Sequence, residues 1–149
     1  MKKFLVLFLG FLTLTLGACK KNNDSSQIQN GPTSYDNLPS QAQQFISQHF
    51  PTASIASVVI DEGRYEVWLN NGTEIEFTMQ GEWKEVDCHM TQVPNSIIPA
   101  KILEYVTAHY PNNFIVKIEK DYDGYDIELN NGLDLDFDYN GNLQEVSFK

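Results

Sequence analysis

Carboxylates are the residues in this chain best placed to do chemistry, and they come in a repeating order. Glu66, Glu76 and Glu85 recur sixty residues later as Asp126, Asp136 and Glu145. If the turns between them are tight hairpins, each trio lies side by side across three neighbouring strands. A second row holds Trp68, Glu74 and Asp87, matched by Glu128, Asp134 and Ser147. Neighbouring strands stand about 4.8 Å apart, and like charges directly opposed are destabilising. Such rows ask for a counter-charge. Water, helped by Lys117 and Lys120, is the plainest source. A basic protein surface is a second. A Ca²⁺ ion, which takes several carboxylate oxygens, is a third. Left unpaired, the central carboxylates should hold their protons to higher pH.

Asp136-Phe137-Asp138-Tyr139-Asn140-Gly141 has the opening spacing of a calcium loop. Its twelfth position is Ser147, where a bidentate Glu is needed, and Thr78 and Gln80 replace the inner ligands of the first copy. A strand running into a hairpin explains the same letters without metal. The candidate metal residues are Asp126, Asp136, Asp138 and Glu145. The candidate partner-binding residues are Trp68, Trp83, Glu66 and Glu76, since strand alternation puts both tryptophans on the acidic face, Trp83 beside Thr78. The alternative is that a covering segment, from the tether or the linker, shields them.

No catalytic centre assembles. His49 and His109 close equivalent helices, where the helix dipole favours a cation. His89 stands alone in a linker, and three scattered histidines with one available cysteine give no zinc spacing. No serine sits in a nucleophile elbow, and no glycine loop could cradle phosphate. The expectation is a non-enzymatic protein with no cofactor, Ca²⁺ being the one candidate ligand ion.

What positions the carboxylates is an internal repeat. Laying 38–88 over 98–148 without gaps pairs Pro39 with Pro99, His49 with His109, Pro51 with Pro111 and Tyr65 with Tyr125. Asn70-Asn71-Gly72 meets Asn130-Asn131-Gly132, Phe77 meets Phe137, and Glu85-Val86 meets Glu145-Val146. Each copy reads as one helix (39–49, 99–109) and then strands near 54–60, 64–69, 73–79 and 83–88, with partners sixty residues on. With Gly72 in the left-handed position of a three-residue loop, Val67 opposes Ile75 and Tyr65 opposes Phe77 on one apolar face. A two-residue turn at Asn140-Gly141 sets Leu135 against Val146 and Leu133 against Phe148. The expected fold class is α+β: two tandem repeats, 38–88 and 98–149, each one helix packed on a four-stranded antiparallel sheet, joined by a linker at 89–97.

Ahead of the repeats stand export signals. Lys2 and Lys3 precede an apolar run from Phe4 to Leu16, too short and wrongly flanked for a membrane span. Leu16-Gly17-Ala18-Cys19 resembles a bacterial lipobox. The resemblance implies that 1–18 is a lipoprotein signal peptide and that Cys19 carries lipid. Residues 19–37 are polar and read as a flexible tether. Lys rather than Asp follows Cys19, which by resemblance to sorting rules favours the outer membrane of a Gram-negative cell, facing periplasm or surface. With Cys19 lipidated, Cys88 has no intrachain partner and reads as a small core residue.

Without Lys2 and Lys3, eight basic residues face twenty acidic ones, a net charge of −12. So acidic a body excludes nucleic acid as a natural partner and excludes docking on anionic lipid, leaving the anchor as the membrane contact.

The unit Tyr65-Glu66-Val67-Trp68-Leu69-Asn70-Asn71-Gly72, repeated as Tyr125-Asp126-Ile127-Glu128-Leu129-Asn130-Asn131-Gly132, resembles the PepSY-like domain. The likeness also covers the helix closed by aromatic-Pro and the glycine turn ending in Glu-Val. The resemblance implies a helix on an antiparallel sheet, twice over, and a beta-lactamase-inhibitor-like role without agreed catalytic residues. Its expected partner is another envelope protein.

Overall fold

Asn-Asn-Gly closes a hairpin in each copy because only glycine takes the required backbone without strain. Gly72 and Gly132 have φ of 88° and 81°. Their N–H groups donate to the Leu69 and Leu129 carbonyls at 3.0 and 2.9 Å. From there the strands pair in the expected register: Val67 with Ile75, Tyr65 with Phe77, and Ile127 with Leu135.

The computed structural model describes residues 29–148, so the signal segment 1–18 and Cys19 lie outside the described residues. The elements run β1 (Gly31–Thr33), a 3₁₀ turn (Tyr35–Asn37), α1 (Ser40–His49), β2 (Ile55–Asp61), β3 (Arg64–Leu69), β4 (Glu74–Thr78) and β5 (Trp83–Asp87). There follow α2 (Ala100–His109), β6 (Ile115–Lys120), β7 (Gly124–Leu129), β8 (Leu133–Asp138) and β9 (Leu143–Phe148). Pro39 and Pro99 sit just before the helices as N-caps, where a missing N–H costs nothing.

The expectation of two units, each a helix on its own four-stranded sheet, is corrected. Among the described residues the strands form one nine-stranded antiparallel sheet in the order β1 to β9, with only two α-helices, so this part of the protein is mostly β. The reason lies at β5. A separate first unit would leave Val86 and the backbone of β5 at an unpaired edge. Instead β6 lies along it, with Ile118 opposite Val86 and Lys117 opposite Asp87. The Cys88 N–H donates to the Val116 carbonyl at 2.8 Å, and Val93 N–H to Ile115 at 2.8 Å. One continuous apolar core results. Ala42, Ile46, Ile102 and Val106 of the helices pack on the inner residues of both halves. Phe45 meets Phe77 edge-on at 5.6 Å, and Tyr105 meets Phe137 at 5.4 Å, the same contact in each copy.

Two further segments are structured beyond their sequence reading. Residues 31–37, read within the tether, supply β1, which pairs with β2 through Gly31–Ile60 and Thr33–Val58. In the linker, Val93 and Ile97 are buried. Cys88 is buried as well, and burial pushes its thiol pKa up.

Candidate functional site

Helices cover one face of the sheet; the other face is open, and fusion of the repeats makes it continuous. The ladder runs Glu66–Glu76–Glu85–Glu119–Asp126–Asp136–Glu145, one carboxylate on each of seven adjacent strands. The parallel row is Trp68–Glu74–Asp87–Lys117–Glu128–Asp134–Ser147. Two short acidic rows have become one that spans the sheet from β3 to β9. Glu119 and Lys117 were missed as members because they join only when β6 docks on β5. A signal for them exists in the sequence: their repeat equivalents are Val59 and Ser57, so the copies differ in charge where they meet.

Two cations neutralise this face unevenly. Arg64 reaches Glu76 at 2.8 Å and Glu62 at 3.9 Å. Lys117 reaches Glu85 at 2.8 Å and Glu119 at 3.9 Å. The repeat equivalent of Arg64 is Gly124. Among the described residues, Asp126, Asp136 and Glu145 have no ion-pair partner. A basin of about 370 Å³ opens there, lined by Asp121, Asp123, Asp126, Asp136, Asp138 and Glu145 among others.

Proton affinities follow this geometry. Burial, then Asp136 and Asp121, raises the Asp126 pKa; burial, then Glu145 and Asp123, raises that of Asp136. Glu74 is raised by burial and by Glu85, Glu66 and Glu76. Glu76 is raised by burial against the opposing pull of Arg64, and Glu119 by burial and Glu85 against Lys117. The native state thus binds protons that the unfolded chain releases, and stability should grow as pH falls through these raised values. His49 works the other way, since burial lowers its pKa and the unfolded chain protonates first. The imidazole acts nearer neutral pH, and the five carboxylates act below it. We expect Tm in low salt to rise as pH falls through the raised carboxylate range, below the titration of His49, and added salt to raise it at pH 7. A flat or falling Tm over that range would show the face to be fully relaxed by solvent.

The four candidate metal residues share the face but not one role. Asp138 accepts bonds from the Asn140 and Asn142 N–H groups at 2.9 and 2.8 Å and from Asn142 Nδ2 at 2.9 Å, which lower its pKa. It braces its own hairpin, where Gly141 has φ 76°; that accounts for the loop-like spacing. Asp126, Asp136 and Glu145 are ladder neighbours. Among the described residues, no three acids, histidines or cysteines converge as a ready-made metal cage.

The partner residues divide. Glu66 and Glu76 lie in the acidic row, and Trp68 lies on the same face. His89, the linker residue, stacks on Trp68 at 6.1 Å and 23°, held by Asp87 at 3.1 Å, so the linker covers part of it. The placement of Trp83 on the acidic face is corrected. A bulge at Lys84 shifts the β4–β5 register, so Trp83 opposes Phe77 rather than Thr78. The loop has three residues, not two: Thr78 N–H donates to the Glu82 carbonyl, and Gly81 N–H to that of Thr78. Trp83 therefore stacks on Phe45 at 6.0 Å on the helix side, with the Lys120 ammonium 3.8 Å from its ring centroid. Nor is His49 a free helix-end cation, since its Nδ1 meets Ser96 Oγ at 2.8 Å.

Fold and site together define a class: an open-faced antiparallel sheet, backed by two helices, that presents an acidic surface. The family described as "Putative beta-lactamase-inhibitor-like, PepSY-like" matches residues 26–71 and 63–145. The chain belongs to this PepSY-like family. It is similar to a protein of Bacteroides thetaiotaomicron described as a "putative calcium-regulated periplasmic protein". Identity is 40%, over 79% of this chain and 96% of that one, with a TM-score of 0.77. It is also similar to two periplasmic proteins of Bacteroides vulgatus. One, of unknown function, is 36% identical over 80% and 99% of the two chains, TM-score 0.77. The other is 33% identical over 81% and 98%, TM-score 0.76. No functionally curated protein matches the chain.

Proposed function

We propose that this is a non-enzymatic binding protein of the cell envelope, held to the outer membrane through lipid on Cys19, whose open acidic face engages a basic surface of another exported protein. The observation that carries the reading is the unbroken carboxylate row, whose Asp126, Asp136 and Glu145 have no ion-pair partner among the described residues. A cationic partner would relieve the repulsion that the fold retains there. The periplasmic relatives and the inhibitor-like family description support the setting and the kind of role.

The test is crosslinking in intact cells with the wild-type chain and the variant Asp126→Asn, Asp136→Asn, Glu145→Gln. The variant should lose the crosslinked partner while its own Tm at pH 7 rises, by roughly 0.5–1 kcal/mol of relieved repulsion. An unchanged crosslink pattern in a folded variant overturns the reading.

A second reading is a calcium response, favoured by the calcium-regulated description of a relative 40% identical. Asp126, Asp136 and Glu145 would supply the oxygens, and their side chains would have to swing together, since no trio converges as it stands. Calorimetric titration with Ca²⁺ decides it. The calcium reading expects heat and a raised Tm, both lost in the triple variant; no heat and no shift removes it.

A further inference from the structure

The repeat also shows a vacancy at the far edge of the sheet. Strand β9 is the counterpart of β5, with Glu145, Val146 and Phe148 standing where Glu85, Val86 and Cys88 stand. In the first copy, β6 and the linker bury this set, leaving Val86 0% and Cys88 5% exposed. In the second, Val146 is 45% and Phe148 77% exposed, both on strand positions facing the core side, opposite Leu135 and Leu133. Among the described residues, β9 pairs only with β8. Unpaired edges with apolar side chains are ready templates for another strand.

We propose that β9 accepts an extended segment of a partner protein as a tenth, antiparallel strand, and that the segment alternates apolar residues with Lys or Arg. The chemistry is read from the one example the molecule contains. At β5 the added strand places Ile118 against Val86 and brings Lys117 to within 2.8 Å of Glu85. At β9 an apolar residue would cover Val146 and Phe148, and a cation would meet Glu145, the bare end of the carboxylate row. Main-chain hydrogen bonds hold such a strand, and the alternate side chains select it. A second copy of this chain is the poorer occupant. Pairing β9 with β9 would join two acidic faces of chains that are each strongly negative.

The probe is a labelled peptide with the sequence of residues 112–121 in which Glu119 is replaced by Lys. It keeps the β6 apolar positions and offers cations at both intervening ones. Fluorescence anisotropy with the full chain should show saturable binding. Val146→Asp and Phe148→Asp change exposed positions and should leave the fold intact by circular dichroism, yet weaken binding at least tenfold. Glu145→Lys should weaken it similarly and should prefer a peptide with Glu at positions 117 and 119, a reversal that nonspecific apolar sticking does not give. Three results overturn the proposal. One is no saturable binding. Another is binding that none of these variants changes. The third is a dimer in sedimentation that Phe148→Asp abolishes, which would assign the edge to a second copy.

Discussion

Gly124→Ala should destabilise the protein on the order of 3 kcal/mol or more, although it adds a single methyl group. A Cβ at Gly124 would stand 1.7 Å from the Phe137 carbonyl oxygen and 2.9 Å from Asp138 Cα. These are backbone atoms of the neighbouring strand, so no rotamer change relieves the overlap; β8 must move off β7. Gly124 is buried, and its role here is close approach rather than turn conformation, since its φ lies outside the positive region. The matched control is Arg64→Ala, at the equivalent place in the first copy. It loses the 2.8 Å contact with Glu76, but the arginine side chain is 42% exposed, so the cost should be about 1 kcal/mol or less. Urea unfolding of the two variants checks the contrast. Equal costs would mean that β7 and β8 separate easily at Gly124. The same close approach explains the charge asymmetry of the open face. The position that neutralises the row in the first half cannot carry a side chain in the second, so among the described residues Asp126 and Asp136 lack the cation that Glu76 has.

Local chemistry made much of this legible, and what was missed is non-local. Glycines at fixed places in Asn-Asn-Gly set the hairpin register, so the pairs Val67–Ile75 and Ile127–Leu135 could be derived from spacing. The carboxylate ladder within each repeat followed from that register. Trp83 did not, because a bulge leaves no strong sequence mark: Lys84 is an ordinary strand residue whose extra place in the ladder flips one side chain. Strand β1 was hidden by its composition, since Gly31-Pro32-Thr33 has neither length nor alternation and is held by pairing with β2. The union of the two sheets was hidden for a different reason. Whether β5 and β6 meet depends on how the chain crosses between them through α2, and hydrophobic period says nothing of that path. The clue lay in where the repeats differ. An inward pattern shared by both copies reports the core, whereas Ser57 becoming Lys117 and Val59 becoming Glu119 reports a new neighbour.

Lys117→Met should cost about 2 to 3 kcal/mol, and Lys117→Glu more, because this ammonium holds the seam of the two repeats. It contacts Glu85 at 2.8 Å and Glu119 at 3.9 Å, and it lies between Asp87 and Glu128 in the ladder. The side chains of Lys117 and Glu85 are only 22% and 15% exposed, so water replaces the lost partner poorly. Burial alone would lower the lysine pKa, yet the Glu85 bond and the charges of Glu85, Glu119 and Asp87 outweigh it and hold the pKa above its ordinary value. A raised lysine pKa gives stability that is complete below the unfolded value of about 10.4 and is lost only as pH rises past the folded one. At neutral pH the wild-type contribution is therefore intact, and removing the charge should expose the repulsion it masks. The variants should recover stability as pH falls through the raised carboxylate range, and should gain more from added salt than the wild type does. Urea midpoints at about pH 7 and about pH 5, in low and high salt, test this. Should Lys117→Met lose the same stability under all four conditions, its role is packing by the aliphatic stem rather than charge, and the seam rests on Val86, Ile118 and the backbone bonds between the two halves.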